Sequence, residues 1–533
     1  MLLMKSIGFW IALCTLAGFL VSASFEWGFV IFTDDPFISF RYAENLLEGH
    51  GLVFNPGERV EGYTNFLWTM LLAAGMSAGF DPVPLSQWLG LTASLASLVI
   101  VAVVSRRLYS GVIISAMCGM ILISNRDFLR WGTGGLETPL FTLLVLGAVT
   151  VSISASNRRS RWLAGILGAA AGMTRPEGIL LVLPMTLLNP GVRKNRRACV
   201  DVLTAFAIVY CPYFLWRVVY YRQLCPNTFY AKVAGSLIET ITQGLVYAGG
   251  YLKHVGEIPL IGTLILAWLA MRRRPEFPVM WTILVFSLVS VVEGGDWMPS
   301  YRFFVPLQPL IALATGAAID GLTKGTVIPW GSGHFFNRVL ALLVPVSLIL
   351  TPHLMQPTGF LHPVFRRIAQ SARAEKAVSE SNPGIGRIGR SLSVRQGGEE
   401  HWIDADKALA FWLKRTAPEN ATIALGRIGV IPFYSGLRTI DFFGLTDPAI
   451  ARGPARSCFS LSGHQKLDVS YILDRRPDYI IFPGRGRDSG QETAPYWARV
   501  LRFDQDRRFT EKYDRVRVEG MESAHQVYRR NSR

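Results

Sequence analysis

Charge is scarce in this sequence: Asp, Glu, Lys and Arg make up 17% of 533 residues, half the residues are hydrophobic, and mean hydropathy is +0.30. That balance disfavours a string of soluble domains and points to membrane. The centres of the apolar stretches hold almost no ionisable residue, which argues against a proton- or ion-coupled carrier with a relay at the bilayer midplane. No Cys-x-x-Cys pair occurs among the six cysteines. Cys14, Cys118, Cys199 and Cys211 fall in apolar stretches where small thiols are commonly buried, so a zinc site is not indicated. Cys225 and Cys458 fall in stretches expected outside the cell, where a disulfide between them is open. There is no internal repeat. Basic residues exceed acidic ones, 54 to 38, for a net charge of +16. The excess sits in short clusters between apolar stretches, where orientation signals belong, so nucleic acid is not an expected partner.

Those clusters give a topology. Apolar segments near 6–24, 85–104, 111–125, 138–155, 162–174, 178–189, 199–219, 258–271, 279–293, 303–319 and 338–352 suggest about eleven transmembrane helices, each facing about 30 Å of hydrocarbon. With a cytoplasmic N-terminus, Arg106-Arg107, Arg158-Arg159 with Arg161, Arg193-Lys194 with Arg196-Arg197, and Arg272-Arg273-Arg274 all fall inside. The first segment is read as an uncleaved helix, a cleaved signal peptide being the alternative. Residues 65–80 would upset this count if they spanned, and their EGYTNFLW start suits an interfacial or re-entrant helix. The short pair 162–174 and 178–189, split by TRPEG, reads as two spans or as a broken hairpin lining a cavity.

The fold class expected is therefore a polytopic α-helical membrane protein with a C-terminal extracytoplasmic α/β domain. Residues 1–352 form the membrane bundle, with a first extracytoplasmic loop at 25–84; 353–400, with a stretch around 380–400 rich in Gly, Ser and Arg, form a linker; 401–533 form the soluble domain. Within it, 404–415 and 467–475 read as helices, and TIALG, TIDFFG and YIIF as strands. The localisation expected is the cytoplasmic (inner) membrane, multi-pass, with the functional surface outside.

Chemistry concentrates on that outer side. The first loop reads FTDDPFISFRYAENLLEGHGLVFNPGERVEGYTNFLW. Pro36 suits a first helical position, which makes Asp35 an expected N-cap and Gly49 an expected C′ residue. Asp34 has no such local duty and is the freer proton acceptor, although a coupled pair leaves open which acid is the base. NPGE reads as a turn and first of all as a loop reversal, with Glu58, Arg59 and Glu61 open as the lining of a sugar site. Four further outward motifs pair acids or amides with cations and aromatics. They are RWGTGGLET with Arg130 and Glu137, TRPEG with Arg175 and Glu177, PNTFYAK with Asn227 and Lys232, and GGDWMPSYR with Asp296 and Arg302. Each alone reads as readily as a structural ion pair; together on one face they suggest a sugar or phosphate site.

The first loop resembles that of the terminal β-(1→2)-arabinofuranosyltransferases, as do GGLETPLF, TRPEG, PNTFYAK, GGDWMPSYRF, IGVIPFYSG and IDFFGLTD along nearly the whole chain. These are polyprenyl-phosphate-dependent membrane glycosyltransferases of the C type. The resemblance implies a helical C-type bundle with a soluble α/β tail. It also implies transfer of a glycosyl group, arabinofuranosyl in the named family, from a polyprenyl-phosphate sugar donor to a hydroxyl of an envelope glycan acceptor, with Asp34 and Asp35 catalytic. Donor phosphate and sugar candidates are Arg41, Glu58, Glu137, Arg175, Asn227, Lys232, Asp296 and Arg302. No spacing demands a metal or another cofactor, and a divalent cation stays open. The partners implied are the lipid-linked donor, the acceptor glycan and the bilayer, with oligomeric state undetermined. A carrier or flippase for lipid-linked saccharides, or a non-catalytic binding subunit, is the alternative.

Overall fold

The computed structural model describes residues 2–26, 31, 33–109, 111–187, 189, 192, 195–232, 237–272, 274–327, 334–354, 399–454, 464–483, 496–518 and 524–531. Most of the expected linker 353–400, and Cys458, lie outside the described residues.

Up to residue 354 the described chain is a helical bundle, and local chemistry sets many helix starts. Helices Pro36–Leu47, Pro82–Leu108 and Pro278–Val292 open on proline, whose fixed φ suits a first turn and whose missing N–H costs nothing there. Asp81 accepts a hydrogen bond from the Val83 N–H at 2.8 Å, and Asn157 with Ser160 forms a reciprocal capping box at the start of Arg158–Thr174. Pro82–Leu108, Arg196–Tyr221 and Arg302–Thr323 are each long and apolar enough to cross a bilayer. Two bent pairs, Val112–Ser124 with Arg126–Gly132 at 67° and Leu237–Val255 with Glu257–Met271 at 94°, raise that number to as many as five among the described residues. The second bend turns on Gly256, whose φ of +90° a side chain would resist.

This is a polytopic helical membrane architecture. Apart from 178–189 the expected apolar segments fold mainly as helix, though several of these helices are only 10–17 residues long. Segment 178–189 breaks into a 3₁₀ stretch, Pro176–Leu181, and one helical turn, Val182–Met185. Helix Phe66–Ser77 forms within the expected 65–80 segment. At the centre, Gln308–Thr323 is buried almost throughout. A Cβ on its Gly316 would meet the Cys118 sulfur at 2.7 Å, close packing of the kind small residues permit where lipid tails offer helices no hydrophobic drive.

Beyond helix Glu399–Thr416, five strands form one mixed sheet in the order β2-β1-β3-β5-β4: β1 Thr422–Leu425, β2 Arg438–Asp441, β3 Tyr479–Pro483, β4 Tyr513–Val516 and β5 His525–Arg530. β1 runs parallel to β2 and β3, with Ile423 opposite Thr439 and Tyr479, while β5 is antiparallel to β3 and β4. Ile423 and Leu425 pack with Leu409 and Leu413 on one face; Ala424 and Ile480 pack with Ile472 and Leu473 on the other. Helices over both faces explain why these strands read as short unbroken apolar runs. β4 and β5 escaped the sequence reading because YDRV and HQVYRR carry charges.

The sheet docks on the first loop. Asn55 donates to the Thr439 carbonyl at 2.8 Å and accepts from the Thr439 N–H at 3.0 Å, so it covers the open edge of β2 as a neighbouring strand would. The NPGE turn behind it forms as expected, with Gly57 at φ +84° and the Glu58 N–H on the Asn55 carbonyl at 3.1 Å.

Candidate functional site

Helix Pro36–Leu47 ends as anticipated: Gly49 adopts φ +84°, and the His50 N–H reaches back to the Asn45 carbonyl at 2.9 Å. Its beginning does not. Asp35 has helical dihedrals, φ −60° and ψ −33°, and its side chain caps no N–H. The expected roles of the two acids are therefore reversed.

Asp34 carries the structural duty. Its two carboxylate oxygens accept from the backbone N–H groups of Gly429 and Val430 in the tail, at 2.6 and 2.7 Å. Gly429 is required there, because a Cβ would overlap the Asp34 carbonyl and stand 2.6 Å from its Cγ. Behind the clamp, Arg427 pairs with the fully buried Asp406 at 2.6 Å, and Asp406 also meets His525 at 3.1 Å. Burial pushes the Asp34 carboxyl above its usual range, the Arg427 charge and the two N–H donors opposing.

Asp35 has no such backbone duty. Burial pushes its carboxyl up to about 7; Arg302 and Lys232 pull it down, while Asp34 and Asp296 push it further up. A carboxylate tuned to neutrality, beside two cations, is suited to general-base work. Arg302 is held by Asp296 at 2.7 Å and lies over the rings of Trp131 and Phe303. It emerges from a turn in which Ser300 and Tyr301 take positive φ, 60° and 36°, a conformation costly for residues with side chains. The RWG motif secures that turn: Trp131 donates to the Ser300 carbonyl at 3.1 Å and Arg130 to its hydroxyl at 3.2 Å.

Phe303 joins this motif to TRPEG, since the Arg175 guanidinium covers the same ring at 4.7 Å. Arg175 pairs with Glu177 and, at 3.4 Å, with Glu137. Glu137 in turn accepts from Asn65, which exchanges hydrogen bonds with Ser39 on the helix that Asp35 begins. A polar network thus runs from the first loop through Glu137 to Arg175, and the Phe303 ring, which both guanidinium groups face, separates Arg175 from Arg302. Lys232 is exposed and forms no ion pair among the described residues, so its charge is available to a ligand. Glu293, absent from the sequence reading, lies in the same group. It is exposed and follows directly on helix Pro278–Val292. Its signal was the acid directly before GGDW, read only as a helix end.

Three expected donor-site residues lie elsewhere. Arg41 is buried with its guanidinium occupied by the carbonyls of Phe54 at 2.7 Å, Leu437 at 2.8 Å and Pro432, so it fastens loop to tail instead of meeting a phosphate. Glu58 pairs with Arg438 and Arg475 of the tail. Asn227 donates to the carbonyls of Gly444 and Leu445 at 2.7 and 3.0 Å. Among the described residues no group of three or more His, Cys, Asp or Glu side chains could hold a metal ion; the acids here face arginines and backbone donors.

Comparison with known proteins gives a consistent picture. The model of a domain of unknown function, DUF8728, matches residues 394–527. Two curated relatives are named terminal β-(1→2)-arabinofuranosyltransferase. One, from Mycobacterium tuberculosis, is 30% identical over 52% of this chain and 51% of its own; the other, from Corynebacterium glutamicum, is 26% identical over 55% and 49%. The chain spans about half the length of these relatives. In fold it is similar to ArnT from Cupriavidus metallidurans, solved bound to undecaprenyl phosphate, at TM-score 0.57 and 14% identity over 98% of both chains. It is also similar to the archaeal oligosaccharyltransferase AglB from Archaeoglobus fulgidus, solved with an inhibitory peptide and a dolichol-phosphate, at TM-score 0.53 and 12% identity over 90% of this chain and 70% of that one. The C-type glycosyltransferase fold expected from the first loop is the fold of these neighbours.

Proposed function

We propose that this chain is a membrane glycosyltransferase that moves a glycosyl group, arabinofuranosyl by analogy with its curated relatives, from a polyprenyl phosphate to a hydroxyl of an envelope glycan on the outer face of the membrane. The observation that carries this reading is Asp35, a carboxylate tuned to about 7 between Arg302 and Lys232. The acceptor hydroxyl gives its proton to Asp35 as its oxygen bonds to the anomeric carbon. The bond from that carbon to the phosphate oxygen breaks, and the polyprenyl phosphate leaves with one more negative charge. Arg302, Lys232 and Arg175 are placed to stabilise that charge.

A lipid-borne donor accounts for a membrane setting: the prenyl chain stays in the bilayer and the phosphate emerges at headgroup level. The eleven-span topology, the outward site and the division into bundle, linker 353–400 and tail 401–533 belong to this proposal, supported by the arginine clusters all falling on one side. The test is to incubate membranes containing the chain with a panel of radiolabelled polyprenyl-phosphate sugars. Label should pass from one pentose donor to a water-soluble glycan, with release of polyprenyl phosphate. Passage of intact lipid-linked sugar across the bilayer without bond cleavage would refute the proposal.

A further inference from the structure

At the opposite end of the bundle an open cavity of about 560 Å³ is lined by Arg158, Arg161, Arg196, Arg197, Val200 and Asp201. Asp201 offsets only part of this charge: it holds Arg161 at 2.9 Å and Arg158 at 3.5 Å, while Arg196 and Arg197 have no acidic partner among the described residues. Two helices, Arg158–Thr174 and Arg196–Tyr221, both start at this cavity, and the positive ends of their dipoles add to the potential of the arginines. They meet just below it, where Gly165 abuts the Val202 carbonyl so closely that no Cβ fits. Further along the same helices Leu163, Ile166 and Leu203 are exposed, and Val200 faces the cavity itself. Trp162, an interfacial residue type, lies under Arg158 at 5.2 Å.

A basic basket opening onto apolar helix faces fits a ligand with an anionic head and hydrocarbon tails. We propose that this cavity binds the phosphate head group of an anionic phospholipid of the cytoplasmic leaflet, whose acyl chains run along the exposed apolar faces of the two helices. The leaflet assignment rests on the orientation proposed above; the binding does not depend on glycosyl transfer. No residue of the reaction site is involved.

The test uses the purified, delipidated full chain in neutral detergent. The unfolding midpoint is followed while phosphatidylglycerol, phosphatidylcholine of the same acyl composition, inorganic phosphate or polyglutamate is added. Phosphatidylglycerol should raise the midpoint saturably and phosphatidylcholine should not. Removing cations should weaken the apparent affinity about fivefold per arginine, so Arg196→Gln/Arg197→Gln together should weaken it roughly thirtyfold. Asp201→Asn, which removes the opposing charge, should tighten binding and keeps the idea testable if the double variant inserts poorly. Equal stabilisation by phosphatidylcholine, by phosphate alone or by polyglutamate would overturn the lipid assignment, as would unchanged affinity in both variants.

Discussion

Replacing Asp35 by Asn changes one atom and keeps both shape and backbone conformation, so its effect reads the carboxylate alone. If Asp35 accepts the acceptor proton, turnover should fall by about 10²- to 10⁴-fold, the usual contribution of a positioned base. Stability should move the other way. In the fold the carboxyl titrates at about 7, against 3.8 for an ordinary Asp, so its charged form is disfavoured by folding. A folded value above the unfolded one gives stability at low pH that is lost as pH rises through 7, and the loss is at most about 4 kcal/mol. Asp35 keeps some contact with solvent, which reduces the expected cost to about 1–2 kcal/mol. Above pH 8 the Asn variant should therefore unfold at a higher temperature than the parent, and below pH 4 at the same one. For the parent, transfer should fall on the acid side with a midpoint near pH 7, about tenfold per pH unit below it. Initial rates of label transfer from pH 5 to 9, with thermal unfolding of both proteins over the same range, decide the matter. An Asn variant within tenfold of parental turnover, or one whose activity still titrates near 7, would refute the reasoning.

Gly429→Ala should drive the tail loop off Asp34 and lower transfer at least tenfold, with faster proteolysis of the tail as the independent sign of undocking. Arg302→Gln removes the largest charge lowering the Asp35 carboxyl, so the acid limb of the transfer profile should move upward from pH 7, while Arg302→Lys should leave it in place. Glu61→Gln leaves Arg217, paired with it at 2.8 Å, buried without its anion. That should cost about 3–5 kcal/mol in unfolding experiments, and Glu61→Gln with Arg217→Met should recover part of it.

Helix existence was legible in the sequence because it follows from local apolar length, proline and cap residues. Membrane sidedness was legible as an expectation because arginines cluster. The amphipathic helix Leu237–Val255 was missed for the same reason, since its polar face breaks the apolar run. Some of the expected residues do act on one group, since the charges of Arg302, Asp296 and Lys232 all reach Asp35. What local pattern could not supply was the division of labour between the two aspartates. The rule that Asp before Pro caps a helix assigned Asp35 its role, whereas the partners that settle Asp34 stand 395 and 396 residues away. Arg41 was misread similarly, its acceptors Pro432 and Leu437 being equally remote. Backbone donors and acceptors carry no side-chain signature, so no inspection of residue types would have found them.

The clamp on Asp34 has a temporal consequence. During synthesis the first loop is made early, yet the N–H groups that hold its carboxylate come 395 residues later. At 5–20 residues per second the loop waits roughly 20–80 s for its partner. A chain ending before residue 429 would lack both of the N–H groups that hold the Asp34 carboxylate. Synthesis of the tail as far as these residues is therefore the step that lets the first loop take its final arrangement.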